Sequence, residues 1–146
     1  MNDRTVFQSI SRINLVTAPP QSTVFQAAVI MARAHSGSVL ILEAGGGPIG
    51  IFTERDLLTK VVAKSLNPGA TRVEEVMTRN PMTVPPETSV CDAILLMKQR
   101  RFRHLPIVAA TGKVVGMFSF RDASARELID ADDMAEHFDE VTDVLA

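Results

Sequence analysis

Two stretches of the chain carry apolar residues at helical spacing. In each stretch the residues recur at positions i, i+3, i+4 and i+7, which places them on one face of a helix. The two sets are Val24, Ala27, Ala28 and Met31, and Val90, Ala93, Ile94 and Met97. Thr23 and Gln26 have the form of a capping box before the first set. Ser89 and Asp92 form a weaker relative before the second. We therefore predict two helices of about 12 residues each.

Short apolar runs follow each predicted helix. Each pair of runs is separated by a glycine-bearing turn, which is typical of paired β-strands. The runs are 39–42 and 48–52 in the first half, and 105–108 and 114–118 in the second. The pattern also predicts a brief strand before each helix, at 16–17 and 82–83, and a second helix from about Thr53 and Ser119. Each half is thus predicted as β-α-β-β-α, and the fold class as α/β (α+β).

The two halves are copies of each other at an offset of 66 residues, the distance from Pro19 to Pro85. No gap is needed to align them. A repeat of this length is a complete supersecondary unit, and such units bury their apolar faces against each other. The identical pairs are Asn14/Asn80, Thr17/Thr83, Pro19/Pro85, Pro20/Pro86, Val24/Val90, Ala27/Ala93, Met31/Met97, Ile41/Ile107, Gly46/Gly112, Gly50/Gly116, Phe52/Phe118, Arg55/Arg121 and Asp56/Asp122.

Composition narrows the function classes. The 146 residues are 46% hydrophobic and 22% charged, enough for one compact domain with a core. The net charge of −2, with both signs interspersed, offers no broad cationic surface, so we expect no nucleic-acid partner. No apolar run approaches the ~20 residues that span a bilayer, and no signal core begins the chain, so we expect a cytoplasmic protein. One cysteine, Cys91, and three histidines without zinc spacing predict no metal site.

The string Gly-x-Phe-Thr/Ser-x-Arg-Asp occurs twice, at Gly50–Asp56 and Gly116–Asp122. It lies where a predicted strand ends and a helix begins, and a helix start with unpaired N–H groups is a natural seat for phosphate. The aspartates, Asp56 and Asp122, suit the two hydroxyls of a ribose. The alternative is structural: the hydroxyl residue caps its own helix and the aspartate favours the helix dipole. The string by itself leaves both interpretations open.

Together these motifs resemble the tandem CBS domain, named after cystathionine β-synthase. The resemblance covers about residues 6 to 129. It depends on both Gly-x-x-Thr/Ser-x-x-Asp strings, the Pro-x-x-Thr/Ser-Val helix entries, Arg-Phe-Arg-His-Leu-Pro-Ile-Val at 101–108, and Glu75-Val-Met-Thr78 followed by Asn80-Pro81. It implies one repeat at 6–66, a second at 72–129, and packing about a pseudo-twofold axis. An acidic C-terminal helix is expected at 130–146, with Met134, Phe138, Val141 and Leu145 on one face for packing or for an interface.

The resemblance also implies two ligand clefts that accept AMP, ADP, ATP, NAD(H) or S-adenosylmethionine, and a homodimer. Carried over by motif, the first cleft would use Thr17, Val39, Thr53, Arg55 and Asp56. The second would use Asp122 on the ribose, Ser119 with Arg103 or His104 on phosphate, and backbone around Thr83 and Leu105 on adenine, with Arg121 beside them. We expect the second cleft to bind phosphorylated ligands more tightly, because the first copy has His35–Ser38 in place of Arg101–His104.

Three function classes remain in view. The resemblance implies a regulatory nucleotide sensor that signals through a protein partner and performs no turnover. The main alternative is a structural dimerisation module with vestigial clefts. An enzyme is the third class, because Ser119, His104 and Asp122 are the residue types of a hydrolytic triad. No nucleophile elbow accompanies them, so we expect no catalysis.

Overall fold

The computed structural model describes residues 4–10 and 15–145, with side chains of the last helix described as far as residue 136. The chain divides into two compact units. The first unit is Asn14–Met82 with Gly112–Val114, and the second is Thr83–Thr111 and Val115–Ala146 with the N-terminal residues. Among the described residues, no helix combines the length and apolar character needed to cross a bilayer.

The first unit contains the first repeat around a four-stranded sheet in the order β1-β2-β3-β4. β1 pairs with β2 in parallel, and the other two pairings are antiparallel. The strands are β1 (Thr17–Ala18), β2 (Ser38–Leu42), β3 (Pro48–Thr53) and β4 (Thr78–Arg79). The helices are α2 (Val24–Ala34), α3 (Glu54–Asp56), which continues as a π-helix (Leu57–Val62), and a 3₁₀-helix (Val73–Glu75). The capping box predicted at Thr23 and Gln26 is confirmed, with both reciprocal hydrogen bonds present.

The second unit contains the second repeat. Its elements are α1 (Val6–Ser9), α4 (Val90–Arg100), β5 (His104–Val108), β6 (Val114–Ser119), a 3₁₀-helix (Phe120–Asp122) and α5 (Ala125–Leu145). Ser89 caps α4 by accepting a hydrogen bond from the Asp92 N–H at 3.1 Å. The predicted strand at 82–83 is wrong, because the structure has only a single parallel bridge between Val84 and Ile107. In the first unit the Leu40 N–H donates to the Val16 carbonyl, but the equivalent residue in β5 is Pro106, which has no N–H to donate.

The sequence predicts a second helix in each repeat. The structure of the second copy differs from this prediction. In the first copy helical backbone runs on from Glu54 without interruption to Val62. In the second, the short 3₁₀ turn ends at Asp122, Ala123 is extended, and α5 begins only at Ala125. The predicted separate helix at 130–146 is part of this one continuous helix. Met134 is exposed, and Phe138, Val141 and Leu145 lie outside the side chains that the structure describes.

Each unit is completed by the chain segment that precedes the other repeat. The Val24 N–H donates to Thr71 O at 2.8 Å, and the Val90 N–H donates to Arg4 O at the same distance. Val73 and Val6, two residues further along these segments, are both fully buried in the core of the unit they join. Segment 4–10 is therefore the structural counterpart of segment 71–77, an equivalence that the repeat analysis missed.

The same equivalence explains the repeated glycines of the Gly-x-Phe strings. A Cβ on Gly50 would lie 2.3 Å from Met77 Sδ, and one on Gly116 would lie 2.6 Å from Ile10 Cδ1. Real Cβ atoms do not approach other heavy atoms this closely, since interiors are already packed to contact. The glycines therefore make room for the last side chain of each completing segment.

Candidate functional site

The first candidate site lies where β3 passes into α3. The Thr53 hydroxyl accepts from the Asp56 N–H at 3.1 Å, and the Asp56 carboxylate accepts from the Thr53 N–H at 3.0 Å through Oδ2. The Glu54 N–H donates to the Gly37 carbonyl. Thr53 and Asp56 thus cap the start of the helix, as the structural interpretation of the string states. Two N–H groups of the helix start are already paired within the chain, so the expectation of unpaired donors for phosphate is wrong at these positions.

Asp56 has a second partner that occupies its other oxygen. Lys60, one turn further along, lies with its ammonium 3.2 Å from Asp56 Oδ1. Asp56 is also buried, with 8% of its surface exposed. Both carboxylate oxygens therefore already serve the fold, and a ribose would have to compete with Lys60.

The remaining residues of the first site lie on neighbouring strands. In the sheet, Thr17 is opposite Leu40, and Ser38 is opposite Thr53. Val39, between these two positions on β2, is fully buried, so only its backbone is available to a ligand. Arg55 is exposed.

The second candidate site repeats this turn with different bonding. The Ser119 N–H donates to Asp122 Oδ2 at 2.8 Å, and the Ser119 hydroxyl lies 3.4 Å from the same oxygen. Both contacts use Oδ2, so Oδ1 takes no part in this pair. Asp122 is only half-buried. The Ser119 hydroxyl and the Asp122 carboxylate are therefore in direct contact.

Arg103 lies beside this turn. Its carbonyl accepts from the Phe120 N–H at 3.1 Å, in the position that Gly37 occupies in the first unit. The side chain of Arg103 is exposed, whereas the first site has no side chain at this point. The second copy therefore has an exposed arginine at this point, where the first copy has a glycine.

Four further residues were predicted for the second site. His104 and Leu105 begin β5, and Leu105 is fully buried. Thr83 is exposed and directly precedes the Val84 bridge to β5. Arg121 is an exposed residue within the turn. The backbone around Thr83 therefore lies near β5.

The two aspartates differ because the backbone after them differs. Lys60 follows Asp56 by four residues on continuous helix and forms the ion pair. Arg126 follows Asp122 by four residues too, but the extended residue Ala123 intervenes, and Arg126 instead lies 3.4 Å from Asp130. Ser124 and Glu127 restart the helix with a capping box of their own, at 2.8 and 3.2 Å.

Sequence reasoning missed one residue at the second site, Arg4. Its guanidinium donates to both carboxylate oxygens of Glu127, at 2.7 and 3.2 Å, and to the main-chain oxygen of Asp122 at 2.8 Å. Burial raises the pKa of Glu127, but hydrogen bonds from Arg4 and Ser124 outweigh it and hold that pKa below its ordinary value. The Ser-x-x-Glu capping signal was visible in the sequence, whereas the partner 123 residues away was not.

From the Arg4–Glu127 ion pair we predict that the protein loses stability in acid. Since the pKa of Glu127 is lowered on folding, its contribution is present above the ordinary value of 4.5 and is lost as pH falls through the lower folded-state value. We expect the free energy of unfolding to fall less between about pH 6 and about pH 3 in Glu127→Gln than in the unaltered protein. Urea titrations at both pH values measure this. Glu87→Gln, at an exposed position, is the control, and an equal fall in all three proteins would contradict the prediction.

The fold and both turns agree with one family. The sequence model of the CBS domain matches residues 8–63 and again 73–127. The chain therefore belongs to the CBS domain family and contains two CBS domains, as the repeat predicted.

Similar proteins include both long and short members of this family. A CBS domain-containing protein of Arabidopsis thaliana is 36% identical over 131 residues, which cover 85% of this chain but 24% of that protein. The chain thus spans about a quarter of the length of this relative. A putative signal-transduction protein with CBS domains from Burkholderia ambifaria is 34% identical with a TM-score of 0.74, covering 80% of this chain and 86% of that one.

A second similar structure contains a ligand. It is a CBS domain protein from Pyrobaculum aerophilum complexed with AMP, with a TM-score of 0.80 over 89% of this chain and 99% of that one. The sequence identity is 23%, so this likeness establishes the fold.

Proposed function

We propose that this protein is a regulatory module that binds an adenine nucleotide reversibly at the second site, without turnover, and signals through a protein partner. AMP, ADP, ATP, NAD(H) and S-adenosylmethionine share the adenosyl group that such a site would recognise. The observation that carries the proposal is the turn at Ser119 and Asp122, where one carboxylate oxygen lies outside the capping bonds and Arg103 is adjacent.

The chemistry of this turn suits a phosphorylated nucleoside. A carboxylate accepts hydrogen bonds from both hydroxyls of a ribose, and Asp122 Oδ1 has the capacity to do so. The guanidinium of Arg103 binds phosphate oxygens bidentately, and its exposure leaves it accessible to a ligand. Charge-assisted hydrogen bonds of this kind contribute about 1.5–3 kcal/mol each.

Known relatives support this assignment by analogy. The Pyrobaculum protein was solved as a complex with AMP, and the Burkholderia protein is described as a putative signal-transduction protein. We propose the first site as the weaker one, because Lys60 already neutralises Asp56 there and no cation replaces Gly37.

A ligand panel tests the proposal. Thermal unfolding is followed with AMP, ADP, ATP, NADH, S-adenosylmethionine and adenosine, since a ligand at 100 times its dissociation constant adds about 2.7 kcal/mol of stability. We expect at least one phosphorylated ligand to stabilise the protein more than adenosine does. Chromatography after long incubation should recover that ligand unchanged. Stoichiometric conversion to a product would contradict the sensor, and no stabilisation by any ligand would favour the structural module.

We also propose that the protein is a homodimer. Three large apolar side chains of the first unit are mostly exposed, Phe25 at 60%, Leu58 at 62% and Val62 at 59%. Exposed apolar side chains of this size are suited to association with a second copy. Sedimentation velocity at micromolar concentration should give twice the mass of the 15.9 kDa chain. A monomer with and without nucleotide would contradict this proposal.

A further inference from the structure

We propose that Arg4 is a positioning residue for the nucleotide site, acting through the main chain of Asp122. The inference rests on the proposed function, because it concerns how Asp122 is held toward a ribose. It assigns the N-terminal segment to the second site, although that segment precedes the first repeat in the sequence.

Arg4 connects three parts of the second unit. Its carbonyl accepts from the Val90 N–H at 2.8 Å, which anchors Arg4 to the first residue of α4. Its guanidinium reaches the main-chain oxygen of Asp122 and both side-chain oxygens of Glu127. Glu127 is the third residue after Ser124 and belongs to the capping box that starts α5. One side chain therefore links the start of α4, the aspartate turn and the start of α5.

This link lies at the break between the 3₁₀ turn and α5. Ala123, directly after Asp122, is extended and separates the 3₁₀ turn from α5. Asp122 is held on one side by the Ser119 contacts to its carboxylate and on the other by Arg4 at its carbonyl. Loss of Arg4 would leave the Asp122 carbonyl without this donor and the 14% exposed Glu127 side chain without its cation. The carboxylate of Asp122 would then be less well oriented for a ribose.

The first unit lacks this arrangement. Thr71 occupies the backbone position equivalent to that of Arg4, because its carbonyl accepts a hydrogen bond from the Val24 N–H. The threonine side chain, however, carries no positive charge. At Asp56 the continuous helix and Lys60 provide the support instead. The Arg4 contact therefore belongs to the second site only, where the helix is broken.

The guanidinium is the chemical group that this geometry needs. It presents several N–H donors in a fixed plane, so it can bond both oxygens of Glu127 and the Asp122 carbonyl at once. A lysine ammonium is a point charge on a flexible stem and reproduces only part of this pattern. Arg4→Lys should therefore restore part of the function that Arg4→Ala removes.

A double-mutant cycle of Arg4→Ala and Asp122→Ala tests the inference by calorimetric titration of AMP and adenosine into the full chain. We expect Arg4→Ala to weaken both ligands by about tenfold, because the ribose is common to both. In the Asp122→Ala background, Arg4→Ala should change affinity by less than about twofold, since its effect passes through Asp122. Arg126→Ala, whose arginine pairs with Asp130 on the surface, is the matched control and should bind as the unaltered protein does.

The outcomes separate this inference from the proposed function. Binding of AMP by the unaltered protein with equal binding by Arg4→Ala overturns the role of Arg4 alone. The role of Arg4 is also overturned if the losses of affinity caused by Arg4→Ala and Asp122→Ala simply multiply in the double variant. A purely structural residue would act independently of Asp122 and give that result. No binding by the unaltered protein overturns the proposed function and this inference with it. If Arg4→Ala does not fold, the same cycle is run with Arg4→Lys, for which a loss of about threefold is expected only when Asp122 is present.

Discussion

Asp122→Ala is expected to weaken nucleotide binding roughly ten- to a hundredfold while changing the stability of the fold only slightly. The carboxylate that this substitution removes is half-buried, and its contacts with Ser119 use only one of its oxygens. The other oxygen is the acceptor that we assign to the ribose. Titration calorimetry measures the affinity, and thermal unfolding without ligand measures the stability.

Asp56→Ala provides the matched comparison at the equivalent position. Asp56 is buried and bonded to the Thr53 N–H and to Lys60, so its removal leaves a cation without its partner. We expect a loss of stability, on the order of 1–2 kcal/mol, and little change in affinity at the second site. The reverse result, with Asp56→Ala losing affinity and Asp122→Ala keeping it, would show that the first site is the functional one.

Val6→Asp is expected to destabilise the second unit severely. Val6 has no exposed surface and packs within the core that contains Ile94, Leu105 and Phe118. A polar group without a hydrogen-bond partner costs roughly 2–7 kcal/mol in such a site. This is comparable with the whole stability of a small domain, about 5–15 kcal/mol. Urea unfolding followed by circular dichroism should show a much lower midpoint or an unfolded second unit.

Phe7→Asp is the control for this variant. Phe7 is the next residue in α1 and is larger and equally apolar, yet 43% of its surface is exposed. We expect a change of no more than about 0.5 kcal/mol, as for other surface substitutions. If both variants destabilised the protein equally, or if neither did, segment 4–10 would not enter the core as described.

Local patterns in the sequence were sufficient for most elements. The helices predicted behind Thr23 and Ser89 are present as α2 and α4, because capping and apolar periodicity depend on residues close together in the chain. The paired strands and the turns at Gly46 and Gly112, both with positive φ, follow from similarly local chemistry. The recurrence of these patterns also identified the family before any contact was known.

The break in the second helix of the second copy also has a local signal in the sequence. The second copy has Ser124 and Glu127 where the first has Leu58 and Val61. Val61 is buried in the first core, so the helix there continues, whereas Ser124 and Glu127 form a new cap and the helix restarts. Arg126 consequently cannot serve Asp122 as Lys60 serves Asp56.

The sequence by itself determined the repeated capped helix, the strand pair that follows it and the pair of aspartates, because each of these depends on neighbouring residues. Only the tertiary structure decided that segment 4–10 completes the second unit and that Arg4 reaches Asp122 and Glu127. The side-chain contacts of Arg4 join residues more than a hundred positions apart, and no periodicity or spacing encodes them. They form because burying Val6 and pairing Glu127 with a guanidinium lower the free energy of the folded chain, which is a property of packing rather than of local sequence.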